Sequence, residues 1–479
     1  MSGIAAALHH DNSQTIEQML EAIRYRGRDE QEIFRQGSVH LGEISFDREQ
    51  MGEVDQQNGY GIVLDGIPFL KNKSLTKAQL INMYLDQGPE FTKCLDGKFA
   101  MIISNGYDFF AARDLFGIKP LYYCNMGNEY YFASEMKALS KIIGSINIFP
   151  PGHFFTKQGG LQRFKEIPAF EPEYGLSVLQ AEGELRNLLI ESVNRSISTT
   201  ERTGIFLSGG VDSSIIAAAA KHCSGGKIFT YAAGLEGSPD IESARIAAEY
   251  LETEHKDYLF NKQEILEALP EIIYYLESFD VELINSSIAN YFVSRLVKSD
   301  NIKVVLSGEG ADELFAGYHY LKQYKDDAEV LSLKMQDLLK GLHNGGFQRV
   351  DRMAKAHSLE VEMPFMDSQV INFALHLPNQ WQISEDEMGK WLLRKAFSND
   401  VPEEIIWRRK AQFGIGSGTE EVMKQVIEEI VSEEEYQEAD QKKEISFKSK
   451  EEYYYHKIFK KFFPNKAAEK TVNRWLVGV

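Results

Sequence analysis

Phe206-Leu-Ser-Gly-Gly-Val-Asp-Ser-Ser214 runs from an apolar stretch through two glycines into Ile215-Ile-Ala-Ala-Ala-Ala220, which spells strand, tight turn and helix. The turn is suited to a pyrophosphate. Gly209 and Gly210 let backbone approach an anion without a Cβ in the way. The hydroxyls of Ser208, Ser213 and Ser214 can donate, and the helix start offers unpaired N–H groups at its positive end. Asp212 would repel a polyphosphate unless a divalent cation lay between them, so it reads as a Mg²⁺ contact. Short Gly/Ser clusters otherwise mark capped turns; here several defined positions coincide between a strand-like and a helical segment.

Working outward, strand-like Ile228-Phe-Thr-Tyr-Ala232 and Lys303-Val-Val-Leu306 alternate with helical stretches at Ser243 to Leu251 and Lys262 to Leu276. Such alternation predicts a parallel α/β sheet with helices on both faces. Its ligand belongs at the carboxyl ends of the strands, where Ser208 and Ser307 fall. Earlier in the chain, Gly61-Ile-Val-Leu64, Phe99-Ala-Met-Ile-Ile103 and Tyr130-Tyr-Phe-Ala133 are short apolar runs separated by Gly, Asn and Asp. They have the texture of antiparallel sheets. The two textures meet at Ile167-Pro-Ala-Phe-Glu-Pro-Glu-Tyr174, read as a linker over 166–177 between domains at 1–165 and 178–479.

The 479 residues carry a formal net charge of −19, which argues against a nucleic-acid backbone or an anionic membrane as partner. The apolar run at 215–220 is too short to span a bilayer, and the amino terminus lacks the regions of a signal peptide, so cytoplasm is the expected compartment. Three cysteines, Cys94, Cys124 and Cys223, suggest neither a disulfide framework nor a zinc site and are expected buried or half-buried. The charged segment Glu433 to Lys450 reads as a solvated helix, loop or flap.

Several long motifs resemble the asparagine synthetase and β-lactam synthetase superfamily. Leu306-Ser-Gly-Glu-Gly-Ala-Asp-Glu-Leu-Phe-Ala-Gly-Tyr318 is similar to its second synthetase motif, and Gly234-Leu-Glu-Gly-Ser-Pro-Asp240 to its nucleotide-side loop. Arg409-Lys-Ala-Gln-Phe413 and Tyr453-Tyr-Tyr-His-Lys-Ile-Phe459 resemble carboxyl-terminal signatures, while Ala112 to Tyr123 and Phe132 to Ala138 resemble the amino-terminal domain. The resemblance implies an Ntn-hydrolase-like αββα sandwich followed by a parallel-sheet ATP-pyrophosphatase domain of the adenine nucleotide α-hydrolase type. It implies adenylation of a carboxylate by ATP with release of pyrophosphate, then attack by an amine with AMP as leaving group. Leu207, Ser208, Gly209, Gly210, Asp212, Ser213 and Ser214 would grip nucleotide and pyrophosphate. Ser307 and Gly308 would touch the nucleotide, and Asp312 would hold Mg²⁺ opposite Asp212. Lys410 would neutralise charge as the adenylate forms and collapses. Glu309 would take the proton of the incoming amine, whereas Glu313 reads as helix N-terminal charge.

The amino-terminal domain resembles a glutaminase whose chemistry is missing. Ser2 stands where the family exposes a cysteine, Glu43 where an Arg clamps the glutamine carboxylate, and Asp65 where an Asn serves the oxyanion hole; Asp96 is retained. Glu43 would repel the substrate carboxylate, and an ionised Asp65 cannot donate to an oxyanion. A relic is expected, although an amino-terminal Ser2 can in principle act as nucleophile. In the other half, Glu282, Asn285 and Glu362 stand in segments where the family carries Thr, Arg and Arg. That change disfavours a dicarboxylate and admits an amine or guanidine, unless these acids pair with local Lys or Arg and never meet the substrate. The expected activity is an AMP-forming amide synthetase using ATP and Mg²⁺ without glutamine. Its expected partners are a small-molecule or peptide carboxylate and an amine, with homodimerisation left open. Ammonia-dependent asparagine synthesis and a silent nucleotide-binding protein are the alternatives.

Overall fold

The structure is a computed structural model that describes all residues except 1, 9–12, 47–58, 143, 173–174, 198–201, 224–226, 410–412, 442–444 and 475–479. The chain divides into two compact units, one of residues 1–167, 342–344 and 460–473, the other of 168–341, 345–459 and 474–479.

Among its described residues the first unit holds twelve strands. They are β1 (Ser2–Leu8), β2 (Glu30–Gln36), β3 (Val39–Ser45), β4 (Gly61–Leu70), β5 (Lys73–Ser74), β6 (Asp96–Ser104), β7 (Phe109–Arg113), β8 (Tyr122–Met126), β9 (Glu129–Ala133), β10 (Ser145–Ile148), β11 (His153–Thr156) and β12 (Gly160–Arg163). They form two six-stranded antiparallel sheets, ordered β10-β8-β9-β1-β3-β2 and β12-β11-β7-β6-β4-β5. Alternation along β6 explains the layering. Ala100 and Ile102 join Ile4, Leu41 and Phe132 in a core between the sheets. Their neighbours Phe99, Met101 and Ile103 point the other way, onto Leu80 and Ile81 of the helix Lys77–Gln87. Period-two side chains with both faces apolar dictate a sheet covered on both sides. The helix Ser13–Ala22 packs on β1 and β3, completing the αββα order.

In the second unit, β13 (Thr203–Phe206), β14 (Phe229–Gly234), β15 (Glu254–Leu259), β16 (Val304–Leu306) and β17 (Glu360–Glu362) make one sheet. Its order is β15-β14-β13-β16-β17, and all four pairings are parallel. From β13 the chain first builds outward on one side, then returns to add β16 and β17 on the other. The order therefore reverses between β13 and β16, the crevice where open α/β sheets bind ligands. The helix Lys262–Leu276 begins with an Asn261 capping box in which Glu264 closes back on the cap. Among the described residues no helix is long and apolar enough to cross a membrane. The cysteines are unpaired, and Cys94 is exposed rather than buried because it ends a surface 3-10 turn.

Candidate active site

A cleft of 490 Å³ opens at the reversal point, lined by the loop after β13 and the loop after β16. Leu207, Ser208, Gly210, Asp212, Ser213, Ser307, Gly308, Glu309 and Asp312 all face it. The first loop is self-braced. Ser213 Oγ donates to the Gly210 carbonyl at 3.1 Å and accepts from the Ser208 amide at 3.2 Å, while Ser208 Oγ accepts from the Gly210 amide at 3.3 Å. These hydroxyls are thereby aimed before any ligand arrives.

Two residues of the motif do other work. Gly209 does not line the cleft; its φ is +66°, and a Cβ there would lie 2.3 Å from the Ala244 amide nitrogen. It lets the loop press onto the helix Pro239–Leu251 rather than onto an anion. Ser214, one residue around the helix from Ser213, is fully buried outside the lining, and its Oγ has no hydrogen-bond partner. Gly308 brings the two loops together, since a Cβ on it would sit 2.8 Å from Asp212 Cβ.

The carboxylates of the two loops meet a residue the motifs do not contain. Lys390 is 2% exposed, and its Nζ donates to both Asp212 oxygens at 2.7 Å and lies 2.6 Å from Asp312 Oδ1. Arg394, one turn further on, also lines the cleft; burial pulls its guanidinium down and the two aspartates pull it up. Two carboxylates are hard oxygen donors that suit Mg²⁺ carried in on phosphate oxygens. Arg408 ties the first loop to its neighbour, donating to the Gly209 carbonyl at 3.2 Å and to Asp240 at 2.9 Å. These cations were missed because each is a lone Lys or Arg far along the chain. The expectation for Lys410 lies outside the described residues, although its neighbour Arg409 faces the cleft.

Glu309 is held by Arg349, whose Nη2 lies 2.9 Å from each carboxylate oxygen. Glu313 stands in the first turn of the short helix Ala311–Leu314. It is 2% exposed, accepts from Tyr318 OH at 2.6 Å, and is pushed up to about 8, chiefly by burial and then by Asp312.

The far end of the cleft is acidic. Glu282, Asn285 and Ser286 on one face of the helix Val281–Ser299 meet Glu420, Lys424 and Glu451. Asn285 is buried, with Tyr455 OH donating to its Oδ1 at 2.6 Å and its Nδ2 donating to Glu451 at 3.3 Å. Burial, then Asp280 and Glu420, pushes Glu282 up to about 7. Burial also raises Glu451. Glu362 ends β17 and is not among the residues that line this cleft; its carbonyl accepts from the Ser307 amide at 2.9 Å.

In the first unit, Ser2, Glu43 and Asp65 share the inward parity of Ile4, Leu41 and Val63 between the sheets. Buried carboxylates there need partners. Glu43 is met by Lys77 Nζ at 2.8 Å and the Leu64 amide at 3.2 Å, and burial still leaves its carboxyl raised. Asp65 is met by Arg26 at 3.2 Å, Lys119 at 3.4 Å and Ser2 Oγ at 3.2 Å. Arg26 also pairs with Glu135, which accepts from Tyr25 and Lys137. The inward end is thus a closed web of opposite charges. Asp96 is half-buried and paired with Lys165 at 2.8 Å.

Residues 184–339 and 328–478 match the family model of asparagine synthase, and residues 70–141 match a glutamine amidotransferase domain. A Zea mays protein named asparagine synthetase [glutamine-hydrolyzing] is 36% identical over 416 residues, covering 82% of this chain and 71% of its own. An Arabidopsis thaliana asparagine synthetase [glutamine-hydrolyzing] 3 is 36% identical over 422 residues, with 82% and 72% covered. Among solved structures, the B. subtilis glutamine PRPP amidotransferase aligns with 49% of this chain and 67% of its own at 15% identity and a TM-score of 0.28.

Proposed function

The chain belongs to the asparagine synthase family, and on that premise we propose that it joins a carboxylate to an amine or ammonia at the expense of ATP, releasing AMP and pyrophosphate, without drawing nitrogen from glutamine. The observation that carries the reading is the meeting of Ser208, Ser213, Asp212, Asp312 and Glu309 at the carboxyl ends of β13 and β16 in one cleft. A carboxylate is a poor acyl donor. Its oxygen attacks the α-phosphate of ATP, the bond to the β-phosphate breaks, and an acyl-adenylate forms. The braced loop holds the departing pyrophosphate with its hydroxyls and the helix start. Asp212 and Asp312 would hold Mg²⁺, which offsets phosphate charge. An amine then attacks the acyl carbon, Glu309 takes its proton, and AMP leaves. Lys410 is assigned to the charge on the adenylate.

Glutamine independence is supported by the charge web of the first unit. Glu43 offers a glutamine carboxylate a negative group already satisfied by Lys77, and Asp65 is locked between Arg26 and Lys119. Neither can play the clamp or the oxyanion donor. The acidic end of the synthetase cleft supports a substrate carrying an amine or guanidine over a second carboxylate. AMP formation with candidate carboxylates, measured with ammonia or amines against glutamine, tests both halves. Nitrogen transfer from glutamine overturns the first, and efficient use of aspartate overturns the second.

A further inference from the structure

Lys390 occupies the space between two carboxylates, and the backbone is bent to put it there. Its own φ is +61°, and Ala316 across from it has φ +51°, two non-glycine residues in the left-handed region. The Lys390 amide donates to the Phe315 carbonyl at 2.9 Å, joining these bends. Gly317 leaves the space for the side chain, since a Cβ there would lie 2.2 Å from Lys390 Cε and 2.0 Å from Asp312 Oδ1. Left-handed backbone at two ordinary residues is costly and persists where the surroundings enforce it. The enforced outcome is one ammonium within 2.7 Å of both Asp212 oxygens and within 2.6 Å of Asp312.

We infer that Lys390 is a built-in stand-in cation that denies the Asp212–Asp312 pair to a free divalent ion and makes metal loading depend on the nucleotide. This rests on the ATP-using reading above, but its test does not require turnover. Among the described residues no group of three or more His, Cys, Asp or Glu is placed to hold a metal by itself. A lone divalent ion would have to displace a tethered ammonium and gain only two carboxylates. With a polyphosphate present, phosphate oxygens add ligands and also give the displaced Lys390 ammonium a negative partner. Metal and nucleotide therefore bind with positive coupling, and each raises the affinity for the other by the same factor. The consequence is an empty site that does not sequester divalent ions and a carboxylate pair that stays preorganised.

The probe is Mn²⁺ alone, titrated into the full-length protein with electron paramagnetic resonance counting free ion, then repeated with ATP in the absence of a carboxylate substrate, the Mn·ATP complex formed without protein being subtracted. Wild type is expected to bind Mn²⁺ weakly without ATP and on the order of tenfold or more tightly with it. Lys390→Met is expected to bind Mn²⁺ alone about tenfold more tightly than wild type, with the dependence on ATP reduced to the part that phosphate ligands supply. Lys390→Met/Asp312→Asn should lose that gain, which assigns it to the pair. Wild-type binding of Mn²⁺ alone as tight as with ATP overturns the inference, and that measurement needs no variant to fold. A failure to bind ATP at all, with weak lone Mn²⁺ binding intact, counts instead against the ATP-using reading.

Discussion

Arg349 Nη2 donates to both carboxylate oxygens of Glu309 at 2.9 Å, and Gly346 leaves the room for that carboxylate, since a Cβ there would lie 2.0 Å from Glu309 Oε1. The pair keeps a negative, oriented acceptor at the mouth of the loop after β16. An ammonium cannot attack a carbonyl, so the acceptor matters after adenylation rather than before it. Glu309→Gln should leave ATP–pyrophosphate exchange within a few fold of wild type while amide formation falls about 10²–10⁴-fold. Exchange and amide formation falling together would remove Glu309 from the amine step.

How much of this was legible follows from where the information sits in the chain. Ser208, Asp212 and Ser307 lie on or just past two strand-to-helix loops that glycines and apolar runs mark, and Glu309 and Asp312, at the second of them, were legible through resemblance to the family motif. The reversal point of the sheet then brings those loops together. Lys390, Arg349, Arg394 and Arg408 carry no such local mark; they reach the cleft only through long-range packing. Ser214 and Glu362 show the opposite failure. Helix rotation buries the first, and the second ends β17 outside the cleft lining. In the first unit, Glu43 and Asp65 were legible as odd residues, but Lys77, Arg26 and Lys119, which neutralise them, were not. Pairs separated by tens of residues leave no spacing to read.

Glu282 makes the cleft pH-sensitive. Burial, followed by Asp280 and Glu420, raises its carboxyl from 4.5 to about 7, so between those values the folded chain holds a proton that the unfolded chain releases. Stability therefore falls as pH rises through that window, and the penalty is absent below it. Glu282→Gln should match wild type near pH 4.5 and melt higher than wild type at pH 8, by a modest margin because the residue still meets solvent. A melting difference that is equal at both pH values would contradict the shift.

The charge web of the first unit should be structural. Asp65→Ala leaves Arg26 and Lys119 buried without one of their carboxylates, and breaking such a pair costs on the order of 3–5 kcal/mol. Denaturant unfolding of the full chain should show a destabilised first transition. Ser2→Ala removes a hydroxyl that lies 3.1 Å from the Leu64 carbonyl and 3.2 Å from Asp65 Oδ1, and should leave glutamate release from glutamine at the background of wild type. Glutamate release by wild type well above that variant would restore a glutaminase to the first unit.

Selectivity is tested at Asn285 alone, because Glu362 lies outside the lining. Asn285 is anchored by Tyr455 and reaches Glu451, so an arginine placed there points its charge at Glu451 and the acidic end shared with Glu282 and Glu420. It would neutralise the surface proposed to receive an amine or guanidine, and a close like-charge pair costs on the order of a few kcal/mol in a partly screened site. Asn285→Arg should therefore raise KM for a cationic substrate tenfold or more, with a smaller effect on kcat, and improve the relative use of aspartate with ammonia. The comparison is AMP formation by wild type and variant across aspartate, a neutral carboxylate and amine-bearing carboxylates. If the variant uses the cationic substrates as well as wild type does, the acidic end does not face the substrate, and Glu282 and Glu451 are then explained by their local contacts alone.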